Sequence, residues 1–206
     1  MKIATFENGP FMVNTYLVTD EGTGRSFVID PGSDVSPLVN HIVCHGLAVE
    51  AIVNTHGHID HIAGVNPLKR RFSVPLYMNA GDEDMLKAVS VQARMFGVAD
   101  PGPVTIDETL PESGTISVAG IELTMLYTPG HSRGSLSFLT GDVVFTGDAL
   151  FNFSIGRTDL PGGNYTELIT SIREKLFSLP DSTRVLCGHG PGTDIGTEKR
   201  LNPFLN

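Results

Sequence analysis

Runs that favour β-strands alternate with runs that favour helices in two similar rounds along this 206-residue chain. Each round places several strands rich in β-branched and aromatic residues before one or two amphipathic helices. Each sheet would then need helices on one face and the other sheet on its second face, so the order is compatible with an αββα sandwich. The pattern alone does not choose this layering over another α/β arrangement.

The first round is predicted to open with strands over residues 11–19 and 26–30, followed by a helix that Ser36 caps and Gly46 ends. The rest of this round is predicted as strands, helices and a loop, at 49–54 (strand), 62–72 (helix), 75–78 (strand), 81–96 (helix) and 97–113 (loop). The second round is predicted as four strands, a helix that Asn164 caps and Pro180 ends, and a last strand, the strands lying at 115–118, 121–127, 135–139, 143–146 and 183–187.

Composition indicates an ordinary globular protein, with 40% hydrophobic and 18% charged residues, and we expect one domain over residues 1–206. No apolar run approaches the ~18 residues of a membrane-spanning helix, and no leader is evident, so we expect a cytoplasmic protein without a membrane partner. The formal net charge of −9 disfavours a nucleic-acid partner. We expect both cysteines, Cys44 and Cys187, to be buried thiols. The oligomeric state is left open.

Three of the seven histidines fall within six residues, in the segment THGHIDH over residues 55–61. The run contains His56, His58 and His61, with Asp60 between the last two. Burying so many titratable groups without partners would be costly, so packing does not explain the cluster. Imidazole nitrogen is a preferred ligand of zinc and related ions, and carboxylate oxygen is compatible with them. The run therefore predicts a metal site.

Three further candidate ligands follow strands downstream: His131 in TPGH, Asp148 in FTGD and His189 in CGHG. Neighbouring glycines let the backbone turn sharply and approach an ion closely. Loops after strand ends are also where functional groups usually lie on such sheets. A lone histidine beside glycine is more often a turn residue. These positions are therefore candidate ligands only in combination with the histidine cluster over residues 55–61.

The HxHxDH run, with Asp30 before it and His131, Asp148 and His189 after it, resembles the five motifs of the metallo-β-lactamase superfamily. The resemblance spans about residues 11–190. It implies a four-layer αββα sandwich of two mixed β-sheets. It also implies a metal-dependent hydrolase with two divalent ions, for which we expect zinc, although iron and manganese accept the same ligands.

The resemblance also implies a role for each candidate residue. The first ion would be held by His56, His58 and His131. The second ion would be held by Asp60, His61 and His189. Asp148 would bridge the two ions, and Asp60 would additionally orient the hydroxide between them. Asp30 would support the ligand loop through hydrogen bonds without binding metal.

Two more stretches resemble the glyoxalase II group of hydroxyacyl-thioester hydrolases, namely GDALF with GRTD in 147–159 and GHGPGT with EKRLNPF in 188–204. This resemblance implies cleavage of a small-molecule thioester of the hydroxyacyl-glutathione type by a hydroxide that bridges the ions. Full-length glyoxalase II enzymes bind glutathione through basic residues of a C-terminal helical extension. Here Lys199 and Arg200 are the only basic residues after Gly190.

Arg157 is a candidate for binding a substrate carboxylate, and an ion pair with Asp159 that fixes the loop is an equally open interpretation. Phe151, Phe153 and Tyr165 either line a substrate pocket or, as is commoner for aromatic residues, belong to the core.

Four other functions remain open. A persulfide dioxygenase of the same superfamily resembles the chain over residues 156–159 and would hold one iron through His56, His131 and Asp148. A β-lactamase is disfavoured because many of those enzymes have cysteine at the bridging position and are exported. A nuclease is disfavoured by the acidic net charge and by the lack of room for its usual inserted domain. A non-catalytic metal-binding protein would keep the ligands without turnover.

Overall fold

A computed structural model describes residues 1–206 and places two six-stranded sheets face to face, with helices on the outer face of each. The αββα layering expected from the motifs is therefore confirmed. The first sheet joins its strands in chain order: β1 (Lys2–Asn8), β2 (Val13–Thr19), β3 (Arg25–Ile29), β4 (Ala48–Val53), β5 (Leu76–Met78) and β6 (Glu108–Thr109). Strands β1 to β3 pair antiparallel and β3 to β6 pair parallel, so the sheet is mixed.

The second sheet is also mixed, and a separate short hairpin accompanies it. In chain order the remaining strands are β7 (Ser113–Val118), β8 (Ile121–Tyr127), β9 (Leu136–Thr140), β10 (Val143–Gly147), β11 (Leu150–Phe151), β12 (Ser154–Ile155), β13 (Arg184–Cys187) and β14 (Thr193–Asp194). The sheet order is β14-β13-β10-β9-β8-β7, in which only β10 and β13 are parallel neighbours, and β11 pairs with β12 as a separate hairpin.

Seven α-helices lie outside the sheets. They are α1 (Ser36–His45), α2 (Ile59–Ile62), α3 (Val65–Phe72), α4 (Glu83–Lys87), α5 (Val89–Phe96), α6 (Tyr165–Ser171) and α7 (Ile195–Leu201). A 3-10 turn (Ala80–Asp82) precedes α4, and a π-helical turn (Ile172–Leu176) continues α6. None of the helices has the length and apolar character needed to cross a membrane.

Side-chain alternation along the strands divides the apolar core into three layers. In β3, Phe27 and Ile29 point between the sheets, whereas Val28 points toward the helices. In β10, Phe145 packs between the sheets and Val144 packs under α6. Both faces of these central strands are buried, which explains why they read as continuous apolar runs rather than as alternating ones.

Three helix ends test the caps predicted for α1 and α6. Ser36 does not cap α1: it is the first helical residue, Val35 holds the N-cap position, and the Asp34 carboxylate accepts from the Ser36 amide at 3.1 Å. Gly46 ends this helix in the left-handed conformation, as predicted, with φ 62°. Asn164 caps α6 as predicted, since its side chain accepts from the Glu167 amide.

Several other predictions need correction. The edge strand β1 was not predicted, because it is half exposed and its apolar signal is weak. The predicted helix over 81–96 is broken at Ala88, between α4 and α5, and the predicted helix over 62–72 begins only at Val65. The expectation for Cys44 is wrong, because α1 turns this thiol toward solvent, whereas Cys187 is buried.

Candidate metal centre

The predicted ligands follow strands that end at one edge of the sandwich. In the first sheet, the parallel strands β3 and β4 lead into Asp30 and the segment 54–61. In the second sheet, β8, β10 and β13 share one direction and lead into His131, Asp148 and His189. Carboxyl ends of strands that run the same way meet at one edge, so residues far apart in the chain converge there.

The first predicted group, His56, His58 and His131, converges as expected. One ring nitrogen from each lies within 4.8 Å of the others, and all three side chains are buried. The shortest separation joins His58 Nδ1 to His131 Nε2, at 2.8 Å. We call this group the first triad.

The second predicted group, Asp60, His61 and His189, also converges within 4.8 Å. His189 Nε2 lies 3.2 Å from Asp60 Oδ2 and 3.3 Å from His61 Nε2. We call this group the second triad. His61 is fully buried, whereas His189 retains 26% side-chain exposure and forms the solvent side of the centre.

The Asp148 carboxylate lies between the two triads. Its Oδ1 is 3.3 Å from His61 Nε2, and its Oδ2 is 3.5 Å from both His131 Nε2 and His189 Nε2. The structure therefore brings all seven predicted ligands together. Asp148 therefore lies within 3.5 Å of histidines from both triads.

The donor set fits divalent cations. His56 Nε2 and Asp148 Oδ1 are buried without a hydrogen-bond partner, which is costly unless something else satisfies them. His131 Nδ1 faces the Arg157 carbonyl at 2.7 Å, so this nitrogen donates and the lone pair of Nε2 points into the centre. His189 Nδ1 is directed in the same way at the Phe11 carbonyl, at 3.0 Å. Lone pairs of neutral imidazoles and carboxylate oxygens are ligands for zinc, iron and manganese.

The two triads differ in electrostatics. Burial and the neighbouring His131 lower the pKa of His58 to about 3, and burial with the nearby histidines holds the pKa of His56 well below its usual value. Burial also acts to lower the pKa of His189, but hydrogen bonds to Asp148 and Asp60 outweigh it and raise this pKa to about 10. His56 and His58 therefore offer neutral imidazoles, whereas cation binding at His189 would displace a proton.

Asp30 lies behind the segment that carries the predicted ligands and accepts three hydrogen bonds from it. Its Oδ1 accepts from the Thr55 amide at 2.7 Å, and its Oδ2 accepts from Thr55 Oγ1 at 2.6 Å and from His61 Nδ1 at 3.0 Å. Asp30 also lies within reach of a cation between His56 and His61, but both of its oxygens already have donors. Its backbone has φ 50°, a strained left-handed conformation that the surrounding hydrogen bonds maintain.

Asp82 is a positioning residue that the sequence reasoning missed. Its buried carboxylate accepts from the Gly57 amide at 3.0 Å, from Ser132 Oγ at 2.6 Å and from the Gly134 amide at 2.7 Å. These bonds tie the loop of His56 and His58 to the loop of His131. The signal was a Gly-Asp pair shortly after strand β5, the same pattern that marks Asp148 after β10.

The loop that carries His189 is held by β2 and packed against the centre. The Asn14 amide donates to the Gly188 carbonyl at 2.7 Å, and Asn14 Nδ2 donates to the Gly190 carbonyl at 2.8 Å. A Cβ atom at Gly188 would lie 2.1 Å from Asp148 Oδ1. Only glycine permits the backbone to approach the centre this closely.

A cavity of about 400 Å³ opens over the centre, and both Arg157 and Phe151 line it. The Arg157 guanidinium forms a two-pronged ion pair with Asp159, with both distances 2.8 Å. These contacts are the ones expected if Arg157 fixes the loop through Asp159. Phe153 and Tyr165 are 46% and 53% exposed, so the expectation that they belong to the core is wrong.

The family model of the metallo-beta-lactamase superfamily matches residues 8–189, and the chain belongs to this superfamily. It is 38% identical over its whole length to a probable metallo-hydrolase, YqgX, from Bacillus subtilis, of which it covers 98%. It is also 38% identical to the hydroxyacylglutathione hydrolase GloC from Haemophilus influenzae, with 95% of this chain and 94% of that protein aligned.

Three solved structures share the fold at 30–38% identity. The BLEG-1 B3 metallo-beta-lactamase superposes with a TM-score of 0.91 at 35% identity and full coverage of both chains. TTHA1623 in a di-iron-bound form superposes with a TM-score of 0.90 at 38% identity, covering 98% of this chain and 100% of that one. ETHE1 from Myxococcus xanthus gives 0.82 at 30% identity, covering 98% and 84%.

Proposed function

We propose that this protein is a thioesterase that hydrolyses small-molecule thioesters of the hydroxyacyl-glutathione type. The observation that carries the proposal is the Asp148 carboxylate between two complete and converging triads. The identity of 38% to the hydroxyacylglutathione hydrolase GloC, over nearly the whole of both chains, supports this substrate class.

Two divalent ions would be held in this centre, the first by His56, His58 and His131 and the second by Asp60, His61 and His189, with Asp148 as the shared ligand. When bound, such ions supply a hydrolytic nucleophile at neutral pH and polarise the scissile carbonyl. We expect zinc, and the similar di-iron-bound structure supports iron as the alternative.

The protein's own groups hold this arrangement in one orientation. The Phe11 and Arg157 carbonyls fix which ring nitrogen of His189 and His131 carries the proton, so the other nitrogen faces the centre. Asp60 lies at the rim of the second triad, where its Oδ2 can orient the attacking group toward the substrate. Each triad takes ligands from both sheets, which supports our proposal that residues 1–206 act as one domain.

The test is elemental analysis followed by S-lactoylglutathione hydrolysis on the same sample. We expect two ions per chain and cleavage of the thioester. His189→Gln should remove one ion and lower kcat about 100-fold or more, because an ion contributes several kcal/mol of transition-state stabilisation. The control is His45→Gln, which removes an exposed imidazole on α1 and should change neither quantity. Full activity in His189→Gln with one ion would refute the two-ion mechanism.

A mono-iron persulfide dioxygenase is the second candidate, because the stretch over residues 156–159 resembles this branch of the superfamily. It would need only His56, His131 and Asp148. One iron per chain, oxygen consumption on glutathione persulfide and no thioester cleavage would establish it. Efficient hydrolysis of a β-lactam panel, which the similarity to BLEG-1 makes worth testing, would instead overturn both candidates.

A further inference from the structure

A second cavity, of about 300 Å³, extends sideways from the metal centre along α4 and α5. Most of its surface comes from apolar side chains, namely Met85, Val91, Met95, Phe96, Leu160 and Pro161. We call it the α5 groove. It shares His58, Phe96 and Leu160 with the cavity over the centre, so the two cavities adjoin beside the first triad.

The apolar face of α5 that forms this groove has no partner within the fold. The helix buries Val89 and Ala93 against the core, yet Val91 and Met95 on its outer side remain 56% and 66% exposed. Folding does not require apolar residues at exposed helix positions, where polar residues are usual. Exposed apolar surface that borders a reaction centre is typical of a binding groove.

Two polar side chains that line the α5 groove, Gln92 and Asp82, are already engaged within the protein. Gln92 accepts from the Ile59 amide at 3.0 Å and donates to the Met85 carbonyl at 2.9 Å. The Asp82 carboxylate accepts from three donors. At the rim, Asp84 and Arg133 carry opposite charges. The groove therefore offers mainly apolar contact, and its free charged groups are the exposed side chains at the rim.

A thioester has two arms, and their chemistry decides which one fits. The glutathione arm carries two carboxylates and an ammonium, whose transfer into an apolar groove would be costly. The acyl arm has no such cost when it is a hydrocarbon chain. Methionine side chains, of which the groove has two, adapt readily to the shape of an apolar ligand.

We propose that the α5 groove is the acyl subsite and that it selects thioesters with an unbranched apolar acyl chain longer than lactoyl. This inference rests on the proposed thioesterase function and adds a substrate preference to it. Each methylene that enters the groove should raise kcat/KM about four-fold, because burial of a methylene contributes ~0.8 kcal/mol.

The first experiment compares S-lactoyl-, S-butyryl-, S-hexanoyl- and S-octanoylglutathione on the metal-loaded protein. We expect kcat/KM to rise from butyryl to octanoyl by at least about ten-fold, and by about 250-fold if all four added methylenes are fully buried. In Val91→Asp, the octanoyl value should fall about ten-fold while the butyryl value stays within about two-fold. Met95→Lys should give the same pattern, so that the conclusion does not depend on one variant.

Val43→Asp is the matched control, because Val43 is an equally exposed valine (53%) on α1, away from the groove. It should change neither value. A flat or falling dependence on chain length in the wild-type protein would overturn the acyl subsite. An equal loss for butyryl and octanoyl substrates in Val91→Asp would do the same.

Calorimetric titration with butyrate and octanoate separates the acyl subsite from the proposed function, because binding needs no turnover. Octanoate should bind at least about ten-fold more tightly than butyrate, and Val91→Asp should abolish the difference. Selective octanoate binding without any thioester cleavage would support an apolar-chain subsite in the α5 groove and refute the thioesterase function. Cleavage of S-lactoylglutathione without selectivity for chain length in either assay would support the thioesterase function and refute the acyl subsite.

Discussion

The substitution Asp82→Ala should lower both the metal affinity of the first triad and the free energy of unfolding. The carboxylate is 1% exposed and accepts three hydrogen bonds, from the Gly57 amide, Ser132 Oγ and the Gly134 amide. Alanine would leave these three donors in a space too dry to solvate them. The variant thus removes the link between the two loops that present His58 and His131.

The magnitude follows from the number and kind of these bonds. A hydrogen bond to a charged group contributes about 1.5–3 kcal/mol, and an unsatisfied buried donor costs about 1–3 kcal/mol. The three bonds are not additive, because the loops relax once the first is lost. We therefore expect the free energy of unfolding to fall by about 3–5 kcal/mol, the usual range for breaking a buried charged interaction. Metal affinity should fall about 10–100-fold, as it does when groups that orient ligands are removed.

Urea unfolding of the metal-free protein measures the first quantity, and metal titration of the folded protein measures the second. Asp84→Ala is the matched control, since that side chain is 90% exposed and lies two residues along the chain. It should stay within about 0.5 kcal/mol of the wild-type protein. The reasoning is refuted if Asp82→Ala is as stable as Asp84→Ala, or if it binds metal as tightly as the wild-type protein.

Three further outcomes are expected. Gly188→Ala should lose the ion of the second triad, because the added Cβ would lie 2.1 Å from a ligand oxygen; two ions per chain by elemental analysis would contradict this. Arg157→Ala and Asp159→Ala should raise KM by the same factor if their ion pair only fixes the loop, whereas a larger increase in Arg157→Ala would reveal substrate contact. Ellman's reagent should label one thiol in the native protein, the exposed Cys44, because Cys187 is inaccessible and burial raises its pKa to about 12; two rapidly labelled thiols would contradict the described burial.

The predicted ligands could be identified from sequence because their chemistry is distinctive. Histidines are scarce, and a cluster of three beside an aspartate has no explanation in packing. Asp148 and His189 follow buried strands, and parallel strand ends bring such residues to one edge. The αββα fold was predictable only through the resemblance of these motifs to the metallo-β-lactamase superfamily, since the order of strands and helices did not choose this layering.

Asp82 could not be identified in this way because aspartate after glycine is common in turns. Its importance comes from partners 25, 50 and 52 residues away, which no local pattern encodes. The break at Ala88 was hidden for a similar reason. Helix propensity continues across it, but the interruption leaves the Met85 carbonyl available to Gln92, a contact that only the folded chain defines.

The exposure of Cys44, Phe153 and Tyr165 shows the limit of burial averages. Residue type gives the frequency of burial over many proteins, whereas the face of a helix or hairpin decides the individual case. Cys44 lies on the solvent side of α1, beside the equally exposed Val43.

The division of each triad between the two sheets makes the proposed metal sites equivalent to cross-links in the chain. The first would join His58 to His131, 73 residues apart, and the second would join His61 to His189, 128 residues apart. A covalent link closing loops of these lengths would stabilise a folded chain by about 4–5 kcal/mol through the entropy of the unfolded state. Neither half of the chain contains a complete triad, so two fragments divided near residue 100 should reassociate more tightly when zinc is added, and a chelator should separate them again.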